Sequence, residues 1–110
     1  MIFQQLFDPE SSTYTYILGD ESTREAVIID PVLGLEERDL ETLRAGGLKL
    51  VSGLDTHVHA DHVTGANALK AATGAPTAVG EACGTIGYDR ALRDGDTIAF
   101  GREALKAIST

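Results

Sequence analysis

Hydrophobic and polar positions alternate along the first third of the chain and then change character. Residues 2–7 and 13–19 read as two strands. In the second, Tyr14, Tyr16 and Leu18 alternate with Thr13, Thr15 and Ile17, a period of two that suits a sheet with one face on a core. Between them, Asp8-Pro9-Glu10-Ser11-Ser12 is made of turn-forming residue types. Gly19-Asp20-Glu21-Ser22 is a second turn, and Ala26-Val27-Ile28-Ile29 is a buried strand stopped by Asp30-Pro31. These segments predict an antiparallel meander.

Helical signals follow. Leu35 to Ala45 is rich in helix formers, with Glu36, Glu37 and Asp39 early and Arg44 late, an order that complements a helix dipole. Its acidic residues are expected on a solvated face. Gly46-Gly47 supplies the stop, because glycine accepts the left-handed conformation of a helix C-terminus. Leu48 to Leu54 is the next strand. A second helix is expected from about Asp61 to Thr73, ended by Gly74, with Val63, Ala66, Ala68, Leu69 and Ala72 turned inward. Pro76 to Val79 reads as a short strand and Glu81 to Tyr88 as a short helix or loop. Asp94-Gly95-Asp96 and Gly101-Arg102 are turns around the strand Thr97 to Phe100, and a last strand pattern runs from Ala104 to Ile108. The sum is an α/β chain of α+β type with one mixed sheet. A sheet covered by helices on one side needs cover on the other, so residues 1–110 are expected to be part of a larger domain.

Composition narrows the partners. A length of 110 residues allows at most one domain, and 43% apolar with 24% charged residues argues against disorder. The formal net charge of -8 argues against nucleic acid or an anionic membrane as partner. No apolar run approaches the roughly 18 residues of a membrane span. The N-terminal residues lack the basic flank of a secretory signal and the arginines of a transit peptide. Cys83 is the single cysteine, so an internal disulfide is excluded and a cytoplasmic, reducing compartment is the expectation.

The candidate chemistry lies in Thr56-His57-Val58-His59-Ala60-Asp61-His62, which holds all 3 histidines of the chain. Metal binding requires several Lewis-basic side chains converging on one point, and imidazole with carboxylate suits zinc and non-haem iron. In an extended segment His57 and His59 point to one side. Asp61 and His62 follow where the chain bends toward the helix, and Asp55 and Thr56 are candidates to support the ligands. The competing reading makes the histidines ordinary hydrogen-bonded residues and Asp61 a helix N-cap. Four potential ligands so close together favour the metal. Asp30 is a turn-forming or a site residue, Asp94 and Asp96 are turn residues, Tyr14 and Tyr16 line one strand face, and Cys83 is a small buried side chain.

The histidine segment followed by Gly65 resembles the T-H-x-H-x-D-H-x-x-G signature of the metallo-β-lactamase fold superfamily. Phe7-Asp8-Pro9, the run Ser12 to Asp20, the run Arg24 to Val32 and Asp94-Gly95-Asp96-Thr97-Ile98 are similar to the persulfide dioxygenase (sulfur dioxygenase) family, and the similarity extends over essentially all 110 residues. The resemblance implies an αββα sandwich, of which this chain would form about one half. It implies one iron(II) held by His57 together with a later histidine and a later aspartate, and oxidation of glutathione persulfide by O2 to glutathione and sulfite. His59, Asp61 and His62 then support the site or are relics of a binuclear one. The family's next motif, carrying the second histidine ligand, is expected just after Thr110, so the chain is expected to be the N-terminal half of such a domain. On that expectation the chain alone binds iron weakly, is inactive, and exposes the inner face of its sheet. Two alternatives stay open: a glyoxalase II-type binuclear zinc or iron thioesterase, with His57 and His59 on one metal and Asp61 and His62 on the other, and a non-catalytic module. A homo-oligomer is also left open.

Overall fold

A computed structural model of the chain describes residues 1–56, 64–80 and 88–108. Strands β1 (Ile2–Asp8), β2 (Thr13–Gly19) and β3 (Glu25–Ile29) form the predicted antiparallel meander. After helix α1 (Glu36–Ala45), strands β4 (Lys49–Asp55), β5 (Thr77–Gly80) and β6 (Arg90–Leu92) join β3 in parallel, with α2 (Gly65–Thr73) crossing between β4 and β5. The result is one six-stranded mixed sheet in the order β1-β2-β3-β4-β5-β6. Strands β7 (Thr97–Phe100) and β8 (Glu103–Lys106) form a separate antiparallel hairpin.

The sheet separates two cores, because successive side chains of a strand point to opposite faces. On the helix side, Ile17, Ala26, Ile28 and Leu50 pack with Leu43 of α1 and Leu69 of α2. On the other side, Leu18, Val27 and Ala78 pack with Ile98 and Phe100 of the hairpin. Full burial of the Val, Leu, Ile and Phe side chains among them stabilises by about 1.5–3 kcal/mol each. The order of layers is therefore helices, sheet, hairpin. The hairpin covers the second face only in part: Phe3, Phe7 and Tyr14 on the same face stay exposed, stacked as Phe3–Tyr16 and Phe7–Tyr14 with ring centroids 5.9 and 4.7 Å apart. The hairpin thus covers this face at Leu18, Val27 and Ala78, and the face is open at Phe3, Phe7 and Tyr14.

Four local expectations change. Helix α2 begins later than expected, with Thr64 as its N-cap: the Thr64 hydroxyl accepts from the Asn67 amide at 3.2 Å, and the exposed Ala72 lies on its outer side. At the end of α1, Gly46 is still helical (φ -87) and Gly47 alone takes the left-handed turn (φ 62). There the Leu48 amide reaches back to the Leu43 carbonyl at 2.9 Å. Asp39, expected on a solvated face, is fully buried and paired with Arg38 at 3.0 Å. Strand β6 was not anticipated at all, being only three residues long. Among the described residues no helix is long and apolar enough to cross a membrane.

Candidate functional site

The parallel strands β3, β4, β5 and β6 present their carboxyl ends at one edge of the sheet, where open α/β sheets place their sites. Asp30 follows β3, Asp55 closes β4 with Thr56 next, and Gly80 closes β5. Residues 57–63 and 81–87 connect these ends to α2 and to Tyr88. His57, His59, Asp61 and His62, and also Cys83, lie outside the described residues. Among the described residues no group of three or more His, Cys, Asp or Glu side chains could hold a metal.

What the structure shows is how the chain enters and leaves the histidine segment. Asp30 is held in the left-handed region (φ 54), which aspartate tolerates better than most residues. Its amide donates to the Leu54 carbonyl at 2.8 Å, and its carbonyl accepts from the Thr15 hydroxyl at 2.8 Å. So fixed between β2 and β4, it turns its carboxylate onto Thr56. Oδ1 accepts from the Thr56 amide at 2.7 Å and Oδ2 from the Thr56 hydroxyl at 2.5 Å. Charge-assisted bonds of this kind are about twice as strong as neutral ones. Thr56, the last described residue before the histidines, is thereby fixed through backbone and side chain together.

The exit is fixed against the same corner. Gly65, the first residue of α2, is buried against the backbone of the next residue after Asp30. A Cβ at position 65 would lie 2.3 Å from the Pro31 carbonyl oxygen and 2.5 Å from its carbon. Nothing larger than glycine fits without moving main chain. The threonine and the glycine of the histidine motif thus both answer to Asp30-Pro31, one through a carboxylate and the other through a close approach.

A second polar tie spans the same edge. The Tyr88 hydroxyl donates to Asp55 Oδ2 at 2.6 Å, and Asp55 is only 3% exposed. Burial, first, and the bond to the Asp55 carboxylate push the phenol well above the usual tyrosine range, while a side-chain hydrogen bond from Thr64 acts on it in the opposite sense. Next to it, Asp89 accepts from Lys70 Nζ at 2.6 Å and from the Thr77 amide at 2.8 Å, which joins α2 to the start of β5. The Lys70 ammonium, first, and the Thr77 amide hold the Asp89 carboxyl below its usual value.

Of the residues singled out from sequence, Asp30, Asp55 and Thr56 are brought together here, and Asp30 holds Thr56 as well as making its turn. Asp94 and Asp96 stay in their turn, where Asp96 Oδ2 accepts from the Arg93 amide at 2.8 Å. Tyr88 was missed. Its partner Asp55 is 33 residues away, so no local pattern could have revealed it.

The family model described as the metallo-beta-lactamase superfamily matches residues 8–95. The chain belongs to the metallo-beta-lactamase superfamily. It has the mixed α/β fold of that superfamily as a partial domain, with the three layers described above. It is 43% identical over 106 residues to the mitochondrial persulfide dioxygenase ETHE1 of Bos taurus, covering 96% of this chain and 42% of that protein. The crystal structure of ETHE1 from Myxococcus xanthus superposes with a TM-score of 0.87 at 47% identity, covering 96% of this chain and 47% of that one. A hydroxyacylglutathione hydrolase of Gloeobacter violaceus is 43% identical over 99 residues, covering 86% of this chain and 38% of that protein. The metallo-beta-lactamase chain described here therefore spans less than half the length of these relatives.

Proposed function

We propose that this chain carries the first part of the metal site of a persulfide dioxygenase. The observation that carries the reading is its similarity to persulfide dioxygenases along 96% of its length, the histidine segment included. The reaction is the oxidation of glutathione persulfide by O2: with one water, persulfide and O2 give glutathione and sulfite. The sulfane sulfur is oxidised, O2 is reduced, and the S–S bond breaks with glutathione as the leaving thiol.

The residues present fit a metal on two grounds. Imidazole and carboxylate donors are concentrated in residues 57–62, the ligand chemistry of iron(II) and zinc. Thr56 before the segment and Gly65 after it are also both placed against the Asp30-Pro31 corner. His57 would hold iron(II), with the remaining ligands from outside this chain, and His59, Asp61 and His62 would support it. Iron(II) bound there would supply the redox chemistry that brings O2 and the persulfide sulfur into one reaction. Thr56 keeps its backbone in place through Asp30, and Tyr88 keeps Asp55 in place at the base of the segment.

The identity to a hydroxyacylglutathione hydrolase favours one second reading, hydrolysis of glutathione thioesters on two metals bound by His57 with His59 and by Asp61 with His62. The two are separated by assaying the protein expressed from its full reading frame. O2 uptake with glutathione persulfide, matched by sulfite formed, is expected. Hydrolysis of S-lactoylglutathione without O2 uptake would contradict it.

A further inference from the structure

We propose that β1 is the edge through which two copies of this chain pair, antiparallel and about a two-fold axis at Gln5, so that the sheet of one copy continues into the other. Strand β1 has a partner on one side only, β2, and its other side is the outer edge of the six-stranded sheet. Such an edge offers a row of backbone donors and acceptors to a further strand, and proteins usually blunt it with a charge, a proline or a bulge. From Ile2 to Phe7 there is neither charge nor proline, and the pairing with β2 runs without a shift from Ile2–Gly19 to Asp8–Thr13. The opposite edge of the sheet, β6, is only 3 residues long.

The residues of β1 favour a second copy over a foreign strand. Phe3, Gln5 and Phe7 share the hairpin side of the sheet, where Phe3 is 58% and Phe7 48% exposed and Gln5 Nε2 donates to the Tyr16 hydroxyl at 3.3 Å. That face reads Phe-Gln-Phe in either direction. Keeping the two faces matched sets residues of like parity opposite each other. A register centred on Gln5 therefore places Phe3 against Phe7 of the second copy, on both sides of the axis, and Gln5 against its own counterpart. Aromatic residues directly opposite are favourable cross-strand pairs, and a glutamine amide holds both donor and acceptor, so two of them can bond across the axis. Charge agrees with this surface. The formal net charge of -8 makes two copies repel, and α1 presents the exposed Glu37 and Glu41 to solvent. The one carboxylate of β1 is Asp8, at its far end. In the Gln5-centred register the two copies of Asp8 lie roughly 20 Å apart, beyond the screening distance of about 8 Å.

The test is the association state of the protein expressed from its full reading frame, followed by sedimentation velocity over a concentration series. A dimer is expected. Gln5→Lys and Gln5→Glu each set like charges face to face on the axis, and each is expected to raise the dimer dissociation constant about fivefold or more. An equimolar mixture of the two is expected to recover a dimer at least as tight as the original, because lysine then faces glutamate. Recovery also shows that both variants fold, since a misfolded strand could not re-form the pair. Phe3→Thr, which keeps a strand-forming residue and removes both Phe3–Phe7 pairs, is expected to weaken the dimer by a similar factor without adding charge. A monomer at every concentration overturns the proposal. A dimer that neither the charges nor Phe3→Thr weaken overturns it as well, because the contact then lies elsewhere. Weakening by both charges with no recovery on mixing contradicts the register at Gln5. Assemblies that grow beyond the dimer with concentration contradict the two-fold axis and point to head-to-tail pairing instead.

Discussion

At the amino ends of β3 and β4 one carboxylate gathers donors from two turns; at the carboxyl ends another gathers donors from a single residue. Asp20, after β2, accepts from the Ser22 amide at 3.1 Å, the Thr23 hydroxyl at 3.0 Å and the Arg102 amide at 2.7 Å. It thus fastens the turn of the β7–β8 hairpin to the turn before β3. Asp30 spends both oxygens on Thr56. Each end also has a glycine that admits no side chain: Gly101 against Asp20 and Thr23, with a Cβ only 2.1 Å from both, and Gly65 against Pro31. The parts are alike, and their placement differs. Asp20 joins two layers of the core, whereas Asp30 joins the core to Thr56, the residue that precedes the proposed metal-binding segment. Damage at the first end should cost stability alone, and damage at the second should cost metal as well.

That distinction is open to experiment. Gly65→Ala is expected to be the most harmful change, because main-chain atoms must move: a loss of about 3 kcal/mol in chemical denaturation, with metal retention lost. Gly101→Ala combines a left-handed φ of 64 with a side-chain overlap, and is expected to cost about 2 kcal/mol while the folded fraction keeps its metal. Equal effects of the two on metal content would erase the difference between the ends. Asp30→Ala removes both bonds to Thr56, so a loss of about 2 kcal/mol in stability is not the whole expectation; metal affinity should fall too, measured by chelator competition. Asp20→Ala should shift the unfolding midpoint and leave that competition curve where it was.

The smallest effect is a pH dependence with two opposed parts. The Arg102 and Ser22 amides hold the Asp20 carboxyl below its usual 3.8, so its stabilisation is present above that value and is lost as pH falls through the depressed value. Burial raises the Asp39 carboxyl above 3.8 despite Arg38, so its contribution is full below that value and is lost as pH rises through the raised one. Asp20→Asn should therefore flatten the acid limb of the midpoint-against-pH curve, and Asp39→Asn the limb above pH 3.8. A variant that leaves its own limb unchanged would contradict the assignment.

Much of the framework was legible in the sequence because it rests on local signals. Alternation marked β1 and β2, Asp-Pro closed β3, and Gly46-Gly47 and Gly74 ended the helices near the expected places. The start of α2 was misjudged because Asp61 and Thr64 are both good caps, and sequence alone does not say which amide will meet which oxygen. Asp39 was misplaced because acidic residues in a first turn fit the helix dipole equally well buried or exposed. The histidine motif was conspicuous. Its supports were not: Asp30–Thr56 and Tyr88–Asp55 join residues 26 and 33 positions apart, and only the parallel pairing of β3, β4, β5 and β6 brings them to one edge.

The central proposal is that the histidine segment that follows Thr56 supplies one ligand to a mononuclear iron site. Its most direct test is the metal content of the purified full-length protein, compared with its His57→Ala and His59→Ala variants. One iron per chain, lost in His57→Ala and largely retained in His59→Ala, is the predicted result. Two metals per chain, or equal loss from both variants, would contradict it.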